Sequence, residues 1–391
     1  MRDTLPPLSA WTSALVATAV GFGGTIALVV QAFRTMGASV EQTGSAITAL
    51  CLGIAVAGAA LSLRLRIPVV LAWSTPGAAL LITAPPAQKP RMQPARISAG
   101  LIGVAFGAVP VLGRLAGAIP PPVASAMLAG VLLPFGLETF RQANADPLFV
   151  LLLCAIFVAA RQRVPLYALL LVLGVGMGLT LIRGDLGLLP NGATIGSLVP
   201  VRPAFDAGAI LSIALPLFVV TLVSQNLPGV AVLQLAGYAP QPAPLLVGTG
   251  LASVVAAPFG AHAINLAAIT AALCTSPDAD PDRERRWRVG LIYAGFYLLL
   301  AIFAPALVRI FLALPHTAIA VLTGLAIVPT LTGALGAMLA SSEHHDATIL
   351  TLLVTASGLT LYGIGSAFWG VAAGLGTIAI ARLLRRRGAA A

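Results

Sequence analysis

The feature that most constrains this chain is the spacing of its charges. Its 391 residues are 59% hydrophobic and 9% charged, and the charges gather in short islands between apolar blocks. A soluble domain carries roughly a quarter charged residues, whereas runs of roughly 18 to 25 apolar residues suit a bilayer crossing. The blocks run approximately 9–33, 43–63, 76–84, 97–118, 122–140, 147–160, 165–182, 208–235, 243–257, 264–275, 288–312, 316–338, 347–361 and 364–384. With no hydrophilic domain between them, they predict an all-α membrane protein of fourteen segments, one domain over 1–391.

A net charge of +10 invites a nucleic-acid reading, but the basic residues are spread over many loops, the pattern that topology signals make. Alternating sides from a cytoplasmic N-terminus puts Arg64, Arg66, Arg161, Arg163, the Arg283–Arg288 run and the Arg382–Arg387 tail inside. Lys89, Arg91 and Arg96 run against the rule. Both termini are therefore expected in the cytoplasm. The first apolar stretch, Leu8 to Phe33, is too long for a signal-peptide core and has no cleavage box. Cys51, Cys154 and Cys274 are odd in number and lack metal spacing, so they read as packing residues. No metal or cofactor is expected.

The polar-tolerant connection from Arg183 to Asp206 divides the blocks seven and seven. An odd number of crossings per half gives the halves opposite orientation, the arithmetic of an inverted repeat, here 1–195 and 205–391. The third block of each half, 76–84 and 264–275, is too short to cross alone. Each follows a stretch that could run extended, Pro68–Trp73 and Val254–Phe259. Non-helical backbone at membrane depth is tolerated only inside protein or beside a cavity. Pro76 suits a first helical turn and Ser74 or Thr75 can cap it. Free N–H groups and the helix dipole at such a start favour an anion, with Ser74, Thr75 and Gly77 as candidates. Two kinked packing helices are the alternative.

The cluster Ser224-Gln225-Asn226-Leu227-Pro228-Gly229 interrupts the apolar run from Ile210 to Leu235. Gln225 and Asn226 are costly in lipid and are expected to face the interior, as ligands or in interhelical hydrogen bonds; Pro228 and Gly229 mark a kink. His262, in the apolar stretch leading into the 264–275 block, is the one histidine read as intramembrane; His316, His344 and His345 fall in loops or at helix edges. His262 is a candidate for proton coupling, the alternative being a neutral ring donating to a backbone carbonyl. Asn265, three residues on, would share its face on a helix, and Gly260 opens the same segment. No carboxylate lies deep in a block; Glu138, near a block end, is the partial exception. An anionic substrate would not be repelled, and a proton moving with it would ride on His262 or on the substrate. Gly21, Gly23 and Gly24 permit close backbone approach, and Phe22 and Phe259 are candidates to sandwich an aromatic ring. The loop Asp280–Arg286 reads as a solvated hinge. No nucleophile–base pair or metal cluster supports an enzyme.

The strings Ala-Trp-Ser-Thr-Pro-Gly-Ala-Ala-Leu-Leu (72–81), Ser-Gln-Asn-Leu-Pro-Gly-Val-Ala-Val-Leu (224–233), Pro-Phe-Gly-Ala-His-Ala-Ile-Asn-Leu-Ala-Ala-Ile-Thr-Ala-Ala (258–272) and Gly-Ile-Gly-Ser-Ala-Phe-Trp-Gly (363–370) resemble the BenE family of benzoate:proton symporters over nearly the whole chain. The resemblance implies a uracil-transporter-like fold: a seven-plus-seven inverted repeat, segments 3 and 10 as half-helices, a mobile core against a rigid gate, and, as is usual there, a homodimer. Nucleobase carriers of that fold have a glutamate where Gln225 stands, and a second where His262 falls. Losing both argues against a neutral base and for an anion. The resemblance thus implies import of benzoate or a close aromatic carboxylate with a proton across a bacterial inner membrane. A carrier of another small anion, or of a nucleobase-like compound, is the alternative.

Overall fold

The computed structural model describes residues 5–83, 101–102, 104–105, 108, 120–201, 213–340, 344–362 and 364–388. Most of the fourth block (97–118) and the start of the eighth lie outside them. Among the described residues, nine helices are long and apolar enough to cross a membrane.

Helices α1 (Leu8–Gly23) and α2 (Ile26–Thr35) divide the first block. Helix α3 (Val40–Leu65) starts at a capping box: Ser39 Oγ accepts from Gln42 N, and Gln42 Oε1 accepts from Ser39 N. It ends on Arg66 in the left-handed region (φ 55°). The chain then runs into strand β1 (Leu71–Trp73), with Ser62 Oγ holding both Val69 N and Val69 O. Half-helix α4 (Thr75–Thr83) follows. Helices α5 (Pro121–Arg141), α6 (Pro147–Arg163) and α7 (Ala168–Ile182) complete the first half. Pro121 and Pro147 stand at first-turn positions, where a missing N–H costs nothing.

The 184–201 connection is stitched to the bundle. Gly187 N donates to Ala313 O, Arg309 Nε to Pro190 O, Gly196 N to Ile302 O and Val199 N to Ser45 Oγ. In the second half, α8 (Leu215–Thr221) widens into a π-helical turn (Leu222–Asn226) and continues as α9 (Leu227–Leu235). The expected kink at Pro228 and Gly229 is therefore displaced upstream. Pro228 falls in the first turn after the wide turn. Helix α10 (Pro242–Ala256) leads through a 3-10 turn to strand β2 (Ile264–Leu266), half-helix α11 (Ile269–Thr275) and the long α12 (Trp287–Ala313), α13 (His316–Leu339), α14 (His345–Ala356) and α15 (Ser366–Gly388).

The extended stretch of the second half is not where the sequence suggested. Val254–Phe259 is the end of α10 and its 3-10 turn, and the strand is Ile264–Leu266, inside the block expected to be helical. Apolar β-branched residues fit a buried helix end as well as a strand, and the strand is decided by its partner. β1 and β2 pair antiparallel, with Leu71 opposite Leu266, Ala72 opposite Asn265 and Trp73 opposite Ile264. Ser74 N to Ala263 O and Ala267 N to Val70 O extend the ladder at its ends.

The described helices pack in two groups. α3 lies along α12 and flanks the strand pair with α10; α1 packs on α12 and α11, and α2 and α8 pack on α4; α5 lies along α13 and α14, which carries α15. α13 also touches α2 and α7, and α4 touches α5, so half-helix α4 sits at the seam.

Candidate functional site

A two-stranded ribbon inside a membrane has two outer edges of peptide groups that water cannot reach, and each must find a partner in the protein. Side chains supply them here. Tyr293 Oη donates to Leu71 O at 2.9 Å on the β1 edge. On β2, Ser253 Oγ accepts from Ile264 N (2.9 Å) and donates to Ile264 O (3.2 Å). Asn226 Oδ1 accepts from Leu266 N (2.9 Å), and Asn265 Nδ2 donates to Leu266 O (2.8 Å). All four side chains are buried. The sequence marks Asn226 and Asn265 as ligand candidates, with interhelical hydrogen bonding as the alternative for Asn226; the structure places one amide group of each on the ribbon. Sequence reasoning missed Ser253 and Tyr293, whose only signal was a polar group within an apolar block. Asn265 is not on a helix face with His262, because β2 begins between them.

Half-helix α4 is capped as expected. Ser74 Oγ accepts from Gly77 N (3.0 Å), Ser74 O accepts from Ala78 N, and Ser74 Oγ pairs with Thr221 Oγ1 (3.0 Å). Ser74 is wholly buried. A Cβ on Gly77 would lie 2.6 Å from Leu217 Cδ1 and 2.8 Å from Ser74 Oγ; the glycine lets α8 approach the half-helix. His262 Nε2 lies 2.9 Å from Ser74 O. A carbonyl only accepts, so Nε2 carries the hydrogen. This is the donating role noted as the alternative for that residue. Gly260 adopts φ +93° at the end of the 3-10 turn, against Ala46 of α3.

A cavity of about 420 Å³ opens between the two helical groups, within the usual range for small-molecule sites. Thr75 at the start of α4 and Ala268, Ile269 and Thr270 at the start of α11 both line it, with Val223, Ser224 and Gln225 of the π turn. Gly21 and Thr25 of the first block, Trp73 of β1, Ser125 of α5, and Pro329 and Thr330 of α13 complete its polar and small-residue wall. None of its described lining residues is charged. Of the candidate site residues named from sequence, Thr75 and Gln225 line this cavity. Ser74, Asn226, His262 and Asn265 stand behind it as hydrogen-bonded support, Gly77 and Gly260 serve the backbone, and Phe22 packs on Trp73 with ring centroids 5.1 Å apart. Phe259 lines a different, apolar groove between α3 and α10, so the two phenylalanines do not face each other across a ligand.

The loop after α11 is also tighter than expected. Arg286 is 6% exposed. Its Nη1 donates to Thr275 O, the last residue of α11, and its Nε and Nη2 donate to Asp280 O and Pro281 O. Ser9 Oγ of α1 binds Ala279 O in the same loop. A cation at the C-terminal end of a half-helix matches the negative end of its dipole.

The family model for BenE, the benzoate membrane transport protein, matches residues 5–380. The chain belongs to the BenE family. It is 40% identical over 366 residues to the inner membrane protein YdcO of Escherichia coli (strain K12), covering 92% of each chain. It is 33% identical over 369 residues to the benzoate membrane transport protein of Acinetobacter baylyi, covering 94% of each. Among solved structures, the transmembrane domain of the cyanobacterial bicarbonate transporter BicA matches with a TM-score of 0.58 at 17% identity, over 94% of this chain and 97% of that one. The expected family thus stands. This BenE chain is a multi-pass membrane transporter and not an enzyme, and its fold is that of the BicA membrane domain.

Proposed function

We propose that this chain is a secondary active transporter that imports benzoate or a closely related aromatic carboxylate, with a proton, across the bacterial inner membrane. The observation that carries the reading is the single cavity shared by the starts of both half-helices. Pro76 has no N–H and that of Gly77 is taken by Ser74, so the Thr75 end of α4 offers its own peptide N–H and hydroxyl. Together with the amide of Gln225 this gives the cavity a donor-bearing end, with no lining carboxylate among the described residues. Such an end suits a carboxylate. The family and the Acinetobacter relative point to benzoate.

The architecture completes the reading. Fourteen crossings in a seven-plus-seven inverted repeat, both termini cytoplasmic, would place the ribbon and half-helices of the two repeats at the midplane. The α3–α12 group would be the mobile core and the α5–α13–α14 group the gate, moving as an elevator, in a homodimer. His262 is buried one peptide from the α4 start and is the group in the core suited to carry the coupled proton.

The test is uptake of radiolabelled benzoate into proteoliposomes under an imposed pH gradient, competed by substituted benzoates, aliphatic acids, bicarbonate and uracil. Benzoate uptake that is stimulated by an acidic outside and competed by aromatic acids supports the proposal. Uptake of bicarbonate or of a nucleobase without benzoate sinks it. His262→Ala is expected to retain membrane insertion and lose the gradient stimulation; normal pH-dependent uptake in that variant removes the histidine from the coupling.

A further inference from the structure

The donor groups above account for the carboxylate end of a substrate and leave its ring without a named contact. Among the described residues that line the cavity, one is aromatic: Trp73. Its position is fixed on three sides. It ends β1 opposite Ile264, packs against Phe22 at 5.1 Å with planes inclined 51°, and donates from Nε1 to Thr25 Oγ1 at 2.7 Å. Thr25 in turn donates its hydroxyl to Gly21 O at 2.8 Å. Thr25 lies in the break between α1 and α2 and itself lines the cavity, as does Gly21. At 2% exposure the indole offers only a narrow strip of its surface to the cavity.

An aliphatic side chain would fill this wall without needing a partner. A buried indole N–H must be satisfied, and here a threonine at a helix break meets that need. The result is a ring that cannot turn without losing a hydrogen bond and its stacking on Phe22. Ring pairs prefer offset or edge-to-face contacts, so a fixed ring edge favours an aromatic guest over a saturated one of equal size.

We infer that Trp73 determines the preference of this site for an aromatic ring, and that Thr25 is the residue that positions it. The inference rests on the carboxylate-transport reading and adds which end of the cavity reads the ring. It assigns Trp73 contact with substrate and Thr25 none through its hydroxyl, which is already committed to the indole and to Gly21.

The probes are benzoate and cyclohexanecarboxylate, which share a carboxylate and ring size and differ in the π system. Uptake and binding are measured with the full-length protein in liposomes, alongside its thermal midpoint. The wild type is expected to favour benzoate by about two- to tenfold, the range that a ring–ring contact supplies beyond its area. Trp73→Leu is expected to bring that ratio near one. Thr25→Val should lower it, and Thr25→Ser, which keeps the hydroxyl, should restore it. Since Trp73→Leu can also damage folding, the Thr25 pair decides. A wild type that takes benzoate, with a ratio unchanged in Thr25→Val and Trp73→Leu, overturns the role of Trp73 and leaves the transport reading standing. A wild type that takes neither acid overturns both.

Discussion

Ser253 is the sharpest test of how the ribbon is held. Its hydroxyl is the partner of both peptide groups of Ile264, at 2.9 Å and 3.2 Å, and it is 4% exposed. Ser253→Ala orphans the N–H of Ile264 and removes a hydroxyl hydrogen that Ile264 O, at 3.2 Å, shares with Thr249 O, at 2.8 Å. In soluble proteins each orphaned group costs about 1–3 kcal/mol. In membrane bundles single side-chain hydrogen bonds average about 0.6 and reach about 1.7 kcal/mol, because the unfolded chain also finds partners. Two such bonds give a loss of about 1–3 kcal/mol. Unfolding entropy scales with length, and a shift of about 2–4 °C per kcal/mol at 150–250 residues becomes about 1–2 °C for 391 residues. The expected fall in thermal midpoint is therefore about 1–6 °C, read without substrate in detergent or nanodiscs. Ser224→Ala is the control. Ser224 donates back to Val220 O within its own helix and holds no part of the ribbon, so its loss should leave the midpoint nearly unchanged. An unchanged midpoint in Ser253→Ala, or a larger fall in Ser224→Ala, would refute the claim that side chains on the ribbon edges hold it at depth.

Gly77→Ala places a Cβ 2.6 Å from Leu217 Cδ1 and within 3 Å of Ser74; overpacking of this kind costs about 1–3 kcal/mol, and both thermal midpoint and uptake should fall. Arg286→Ala leaves Thr275 O, Asp280 O and Pro281 O without their cation, so the midpoint should drop and KM should rise through α11, with Arg286→Lys recovering only part because it lacks the planar fork. Gln225→Leu and Thr75→Val both touch the cavity and are expected to raise KM for benzoate several-fold at an unchanged midpoint, measured by uptake against concentration.

The broad plan was legible in the sequence because hydropathy and charge spacing are properties of local composition. The first half-helix was legible as well: Pro68, Ser74 and Pro76 leave the backbone few choices, and Ser74 caps α4 as its position suggests. The second was misplaced because Val254–Phe259 carries no such punctuation. That stretch stays helical, and Ser253, just before it on α10, reaches Ile264 eleven residues on. The π turn was likewise hidden. Pro228 signals a disturbance, but its own ring is tolerated in the turn that follows, and the wide turn lies over Leu222–Asn226.

That wide turn explains why polar residues read as one cluster divide their labour. An extra residue in a helical turn changes the angle at which its successors project, which is why such turns recur at functional sites. Here Val223, Ser224 and Gln225 line the cavity while Asn226 reaches Leu266 N on the ribbon. Restoring regular helical spacing, by deleting one residue between Leu222 and Asn226, would turn either the cavity wall or the ribbon support away from its target. The polarity of this cluster could be read from sequence, but its division between ligand and scaffold depends on a backbone register that only the ribbon opposite it fixes. The same logic holds for His262 and Asn265: groups buried for the sake of a half-helix start and a strand edge stand one layer behind the groups that can meet a substrate.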